Sequence, residues 1–318
     1  MRSRLVMVLA VLLAVAAGAG TAARFVGARG GSSPPAHASL PPQLAAYLGT
    51  FVAGSPPGYS AVASFGTMAG RQPNLVGYYS GWAQPFDVSF AQMIHRHGVI
   101  PFVQIDPTDA SLSALAGGTY DDYLRSYADS VRNYQHAVVI GFGHEMNATW
   151  YPWGYRHVPA ATFVAAWRHL VTLFRDQGAG NVTWLWTLQA DQAGTGPVAS
   201  WWPGAEYVTW VGIDGYYDRG SDTFASVFGT TIDQVRAFTG KPVLLSETAV
   251  APDADQFAKI QDLFRGMAVY RTLGLVWFDK AQHGAIYHQD WRIEDSLQAQ
   301  VSFRLGVRDE LTPSGPDG

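Results

Sequence analysis

Two glutamates, each closing a long apolar run, are the residues in this sequence best placed to do chemistry. The first ends Val138-Val139-Ile140-Gly141-Phe142-Gly143-His144-Glu145, and the second ends Pro242-Val243-Leu244-Leu245-Ser246-Glu247. A carboxylate at the end of a buried run is costly unless it is paired or used. Only 14% of the chain is Asp, Glu, Lys or Arg, so few partners are on offer. A lone Glu in such a place most often serves as a structural ion-pair or hydrogen-bond partner. Two that face each other in an aromatic-lined cleft are what cleavage of a glycosidic bond requires: one carboxyl protonates the leaving oxygen, the other, ionised, attacks or steadies the anomeric carbon. Trp150, Tyr151 and Trp153 follow the first Glu directly, where they suit stacking on the apolar face of a sugar ring, and Trp277 ends the last apolar run.

The elements that must position these residues are visible as eight apolar runs, each followed by turn residues and then by an amphipathic stretch. Buried parallel strands joined by helices leave this pattern. Strands are expected at Tyr47 to Val52, Leu75 to Tyr79, Val99 to Ile105, Ala137 to Gly143, Val182 to Thr187, Val208 to Asp214, Pro242 to Ser246 and Leu273 to Phe278, with helices such as Asp87 to Arg96, Tyr120 to Tyr134, Ala160 to Asp176, Thr231 to Phe238 and Asp255 to Tyr270. Eight such units without a composition break favour an α/β fold of the (β/α)8 TIM-barrel type, a single catalytic domain, over an open doubly wound sheet. Chemistry in that fold sits at the carboxyl ends of the strands, and strands four and seven lie across the mouth from each other. No Gly-x-Gly-x-x-Gly follows the first strand and no phosphate loop occurs, so no cofactor is expected.

Composition narrows the partners. Apolar residues make up 48% of 318 and aromatics 13%, which excludes a disordered chain or a coiled coil. Arg2, Arg4, Arg24 and Arg29 fall in the first 30 residues, where there is no acid; the rest carries 17 basic against 25 acidic residues. So acidic a body has no footprint for nucleic acid. Cysteine is absent, which removes disulfides, thiol nucleophiles and thiolate metal sites. The uncharged run Leu5 to Ala23 after two arginines is read as a signal peptide or an N-terminal membrane anchor over residues 1–23, so the body is expected to be secreted or anchored at the outer face of the cell membrane. Residues 24–42 read as a Gly/Ser/Pro-rich linker, 43–306 as the barrel, and 307–318 as a flexible tail. A monomer is expected.

At its chemical residues the chain resembles glycoside hydrolase family 26, a retaining (β/α)8 family of β-mannanases and related enzymes. Gly143-His144-Glu145-Met146-Asn147-Ala148-Thr149-Trp150-Tyr151-Pro152-Trp153 is similar to the family's His-Glu-Met-Asn-x-x-Trp-x-x-Trp block, in which the Glu is the acid/base. Val211-Gly212-Ile213-Asp214-Gly215-Tyr216 resembles its strand-six Gly-x-Asp-x-Tyr, whose Tyr positions the nucleophile; Ser246-Glu247 resembles the nucleophile strand. The resemblance implies double displacement on β-1,4-mannan-type polysaccharide, with Glu145 as acid/base and Glu247 as nucleophile. It implies substrate contacts from His144, Asn147, Trp150, Trp153, Tyr216 and Trp277. Where mannanases of the family close strand three with Trp-His, this chain has Gln104-Ile105-Asp106-Pro107, and Thr187-Leu188-Gln189-Ala190-Asp191 replaces their strand-five Asn. Asp106 and Gln189 therefore stand at sugar-contacting positions with different chemistry, which leaves a mixed-linkage β-1,3-1,4-glucan or an exopolysaccharide as alternative substrates.

Other classes compete less well. His283, His288 and Asp290 cluster after strand eight, but His-x4-His-x-Asp fits no helical ligand pair, and no metal is expected. Lys280 is a strand-end lysine without the phosphate-binding signal of a Schiff-base barrel. A non-catalytic carbohydrate-binding barrel would keep the tryptophans and dispense with a carboxylate, whereas both glutamates are present.

Overall fold

Strands β1 (Tyr47–Val52), β2 (Leu75–Gly81), β3 (Ile100–Asp106), β4 (Val138–Phe142), β5 (Val182–Gln189), β6 (Trp210–Tyr217), β7 (Val243–Val250) and β8 (Gly274–Asp279) are all parallel and close in chain order, β8 pairing with β1. The computed structural model describes residues 39–281 and 289–312. Helices α1 (Ser60–Ala69), α2 (Val88–His95), α3 (Leu112–Ala116), α4 (Asp121–Tyr134), α5 (Ala160–Asp176), α6 (Thr230–Arg236), α7 (Gln256–Val269) and α8 (Leu297–Glu310) fill the crossovers and the end of the chain. This is the (β/α)8 barrel the strand count implies.

Local chemistry explains where helices start. Asp87, Ser111 and Ser296 each accept a backbone N–H three residues on, capping α2, α3 and α8. The strands hold because both faces are covered. Tyr47, Phe51, Leu75, Phe102, Val139, Leu185, Trp210, Leu244 and Val276 fill the lower barrel, and Trp167, Trp186, Trp201 and Phe303 pack in the layer between strands and helices. Above the apolar floor the interior turns polar. Gln104 donates to Thr187 Oγ1 at 3.2 Å, and Ser246 donates to Asp214. Gly212 makes room for this layer, since a Cβ there would lie 2.5 Å from Ser246 Oγ and 2.7 Å from Thr187 Oγ1.

Two expected boundaries move. Leu40, assigned to the linker, is buried among the residues of the barrel floor, with its N–H on Thr183 Oγ1, because a large apolar side chain gains by leaving water. The tail expected from residue 307 begins later: α8 continues to Glu310, and Val307 and Leu311 are buried. The proposed leader, most of the linker, and His283 and His288 lie outside the described residues.

Candidate active site

Glu247 sits inside β7, not after it, and a bulge sets its direction. Against β6 the register passes from Ile213↔Leu245 to Asp214↔Glu247, and against β8 from Leu275↔Leu245 to Trp277↔Thr248, so β7 carries one extra residue relative to both neighbours. In an unbroken strand Ser246 and Glu247 would face opposite ways. The bulge lets both enter the barrel mouth. Ser246 bonds Asp214, while Glu247 accepts from Tyr216 Oη on β6 at 2.7 Å and from Tyr79 Oη on β2. Burial, reinforced by the negative Glu247, raises both phenols well above their ordinary pKa, so they remain donors. Asp214 is buried; desolvation and then the charges of Glu247 and Glu145 raise its pKa well above the usual carboxylate range.

Glu145 follows β4 through a tight reversal. Gly143 and Glu145 both have positive φ, 54° and 53°. For a non-glycine residue this left-handed conformation costs of order 1–3 kcal/mol and persists only where the surroundings hold it. Here the Gly143 N–H is bonded to Ile105 O on β3 and the Glu145 N–H to Thr187 O on β5, each at 2.9 Å. The carboxyl is 7% exposed and accepts one hydrogen bond, from Trp150 Nε1 at 2.5 Å. Desolvation is the largest influence on it. The His144 charge works the other way, Glu247 adds to the rise, and the pKa is raised to about 7.

The remaining sequence candidates divide by where their polar atoms go. His144 Nδ1 meets Asp106 Oδ1 at 2.9 Å and Nε2 meets Tyr151 Oη at 3.0 Å. Burial disfavours the imidazolium, but the Asp106 carboxylate and then the two glutamates outweigh that, and the pKa is raised to about 9. His144, expected to touch sugar, has both ring nitrogens hydrogen-bonded and its ring buried beside Glu145. Asn147, also expected at the sugar, exchanges hydrogen bonds with the Gln189 backbone, 2.8 Å to the carbonyl and 2.9 Å from the N–H, locking the β4 loop to β5. The Gln189 side chain lines a small polar cavity with Asp191, Tyr216 and Arg219.

Two tryptophans are not the platforms expected of them. Trp153 is 3% exposed, stacks on Tyr151 at 4.5 Å and donates to the His144 carbonyl. Trp277 is fully buried, packs on Phe303 of α8 at 5.1 Å and donates to Trp291 O; on β8 the inward positions belong to Val276 and Phe278. Both faces of a buried parallel strand are apolar, so the run itself does not say which residue points inward. Trp150 stays half-buried at Glu145, and Asp106, Tyr216 and both glutamates line the mouth. Tyr79 escapes the sequence reading. A tyrosine ending an apolar run reads as core, although the alternation Leu75, Gly77, Tyr79 puts it on the inner face.

The arrangement sets Glu145, whose pKa is raised to about 7, in the same mouth as Glu247, which accepts from two O–H donors. Among the described residues no group of three His, Cys, Asp or Glu side chains is placed to hold a metal ion. The profile of Glycosyl hydrolase family 26 matches residues 103–294. Endoglucanase H of Acetivibrio thermocellus is 29% identical over 277 residues, covering 82% of this chain and 30% of that protein. Mannan endo-1,4-beta-mannosidase A and B of Caldalkalibacillus mannanilyticus is 29% identical over 111 residues, 32% of this chain and 21% of that protein. The chain thus spans less than a third of the length of either curated relative. Among solved structures, the Bacillus subtilis mannanase BCman superposes with a TM-score of 0.63 at 18% identity, covering 86% of this chain and 88% of that one, a likeness of fold.

Proposed function

The chain belongs to glycosyl hydrolase family 26, and from that premise we propose that it cleaves a β-1,4-linked polysaccharide internally by double displacement, with Glu145 as acid/base and Glu247 as nucleophile. The observation that carries this reading is the asymmetry of the two carboxyls: burial and the opposing charge raise Glu145 to about 7, whereas Glu247 is held by the Tyr79 and Tyr216 hydroxyls. In the first step Glu145 gives its proton to the glycosidic oxygen as a Glu247 oxygen bonds the anomeric carbon, and the chain beyond the cleaved bond leaves as an alcohol. In the second, Glu145, now ionised, takes a proton from water; the water oxygen bonds the anomeric carbon and Glu247 departs as carboxylate. Two inversions give net retention. Trp150, which donates to Glu145, offers its half-buried face to the departing sugar.

The substrate read first is β-mannan. A glucan backbone is the second reading, favoured by the match to Endoglucanase H, which runs over far more of this chain than the match to the mannosidase. Polymers of this size are met outside the cell, which agrees with export through the Leu5 to Ala23 segment. Reducing-sugar release from β-mannan, glucomannan, mixed-linkage β-glucan, xylan and cellulose by the chain and by Glu247→Ala tests the reading. Release that the substitution abolishes supports it; release that survives the substitution sinks it.

A further inference from the structure

Lys280, directly after β8, is a cation of the barrel mouth that, among the described residues, no anion or carbonyl bonds. Its Nζ lies 5.8 Å from the ring centroid of Phe51, 5.5 Å from that of Tyr79 and 5.4 Å from that of Phe278. Among the described residues no hydrogen bond or ion pair takes any of its three protons. The other cation of the site, His144, is spent on Asp106 and Tyr151, and another of the chain's three lysines, Lys259, is paired with Asp253. Three ring faces attract an ammonium but supply no acceptor. A half-buried cation with its donors unspent is an unfavourable thing to build unless a partner arrives from outside.

The position says which sugar would bring it. Tyr79, whose ring faces Lys280, also donates to Glu247, and Glu247 acts on Lys280 electrostatically. The ammonium therefore neighbours the sugar that sits on the nucleophile rather than the one that leaves from Glu145. The local charge balance admits an anion. Asp106 is matched by His144, and Asp214 and Glu145 both have raised pKa values that favour their neutral forms; Glu247, the remaining charge near Lys280, loses its charge when it bonds the anomeric carbon, which leaves the ammonium without a counter-charge. A bond from an ammonium to an anionic oxygen is roughly twice as strong as one between neutral groups.

We propose that Lys280 is a specificity-determining residue that binds an anionic substituent, a uronate carboxylate or a sulfate ester, on the sugar seated at or beside Glu247, so that the preferred polymer is an acidic β-glycan. This rests on the glycosidase reading above and names its substrate class.

The test uses the full chain with β-mannan and mixed-linkage β-glucan, each untreated, lightly oxidised at C6 to uronate, oxidised and then reduced back, or lightly sulfated. The wild type is expected to show kcat/KM at least about ten-fold higher on an anionic form than on the parent and the reduced-back form. Lys280→Met should collapse that ratio towards one and Lys280→Arg should restore most of it, while mass spectrometry finds the anionic sugar near the new reducing ends. Preference for the oxidised form assigns a carboxylate, and preference for the sulfated form assigns a sulfate. Equal ratios in wild type and Lys280→Met overturn the proposal. Binding is read separately, by calorimetry with the Glu145→Gln chain and anionic or parent oligosaccharides. There the same ten-fold preference, lost on adding Lys280→Met, supports the proposal even if no polymer is cleaved, and equal Kd values overturn it. Glu247→Ala that cleaves as well as wild type would sink the glycosidase reading and leave this binding result standing.

Discussion

Glu145 and Glu247 are the same functional group at the same depth, 7% and 5% exposed, yet their walls differ in kind. Glu247 lies in a strand, aimed by a bulge, with an O–H donor on each side. Glu145 lies past a strand on a left-handed residue, with one N–H donor and an aromatic wall. At Glu145 one indole N–H does not offset the loss of water, so that group holds its proton to about 7. The positive His144 nearby keeps that value from climbing further, so the Asp106–His144 pair acts as a brake on the Glu145 pKa.

The comparison breaks most visibly on substitution of each carboxyl. Glu247→Ala should lower turnover by on the order of 10⁴-fold or more on any substrate, because no covalent intermediate forms. Glu145→Ala should be comparably damaging on polysaccharide yet far milder on an aryl glycoside, whose leaving group needs no proton. Steady-state rates on both substrates check this, and equal losses on the aryl glycoside would remove the distinction. Next in size, Tyr216→Phe and Tyr79→Phe each take one hydroxyl from Glu247. Each should cost roughly ten- to hundred-fold in kcat, the worth of a hydrogen bond to a charged group, with little change in KM. A purely structural tyrosine would instead lower the folded fraction.

The pH profile sharpens the acid side. Activity should fall as pH rises through about 7 and Glu145 loses its proton. Asp106→Asn removes the anion that keeps His144 charged, and a neutral His144 no longer lowers the Glu145 pKa, so the alkaline limb should move upward, by roughly half a unit to one unit. A downward shift would mean that the brake has been assigned the wrong sign. The smallest effect on catalysis is expected at Trp277. Trp277→Ala should cost about 3–5 kcal/mol of stability by denaturant unfolding with KM nearly unchanged below the transition, since the side chain packs on Phe303 outside the barrel. A large rise in KM would return Trp277 to the cleft.

The eight strands were legible because each is a continuous apolar run, and the strand-end glutamates were legible because a charge there is rare. What the sequence concealed is which way side chains face. Trp277 and Phe278 are adjacent apolar residues, and only the closed barrel sends the first towards α8 and the second inward. Ser246 and Glu247 both reach the interior through a bulge that no periodicity announces. Asn147 and His144 carry the polar groups of ligand-binding residues, but the structure spends those groups on Gln189, Asp106 and Tyr151. Tyr79 hid in its run because a phenol packs like an apolar ring until something at its tip accepts a hydrogen bond.

The most direct test of the two-carboxyl mechanism supplies the same external nucleophile to both variants. With azide and an aryl β-glycoside of mannose or glucose, Glu145→Ala should yield the β-glycosyl azide, because azide attacks the intermediate on Glu247 in place of water. Glu247→Ala should yield the α-azide, because azide fills the space of the missing carboxylate and attacks once. Proton NMR of the anomeric centre distinguishes them. Opposite configurations from the two variants are the predicted result; the same configuration from both, or the reverse assignment, would contradict Glu145 as acid/base and Glu247 as nucleophile.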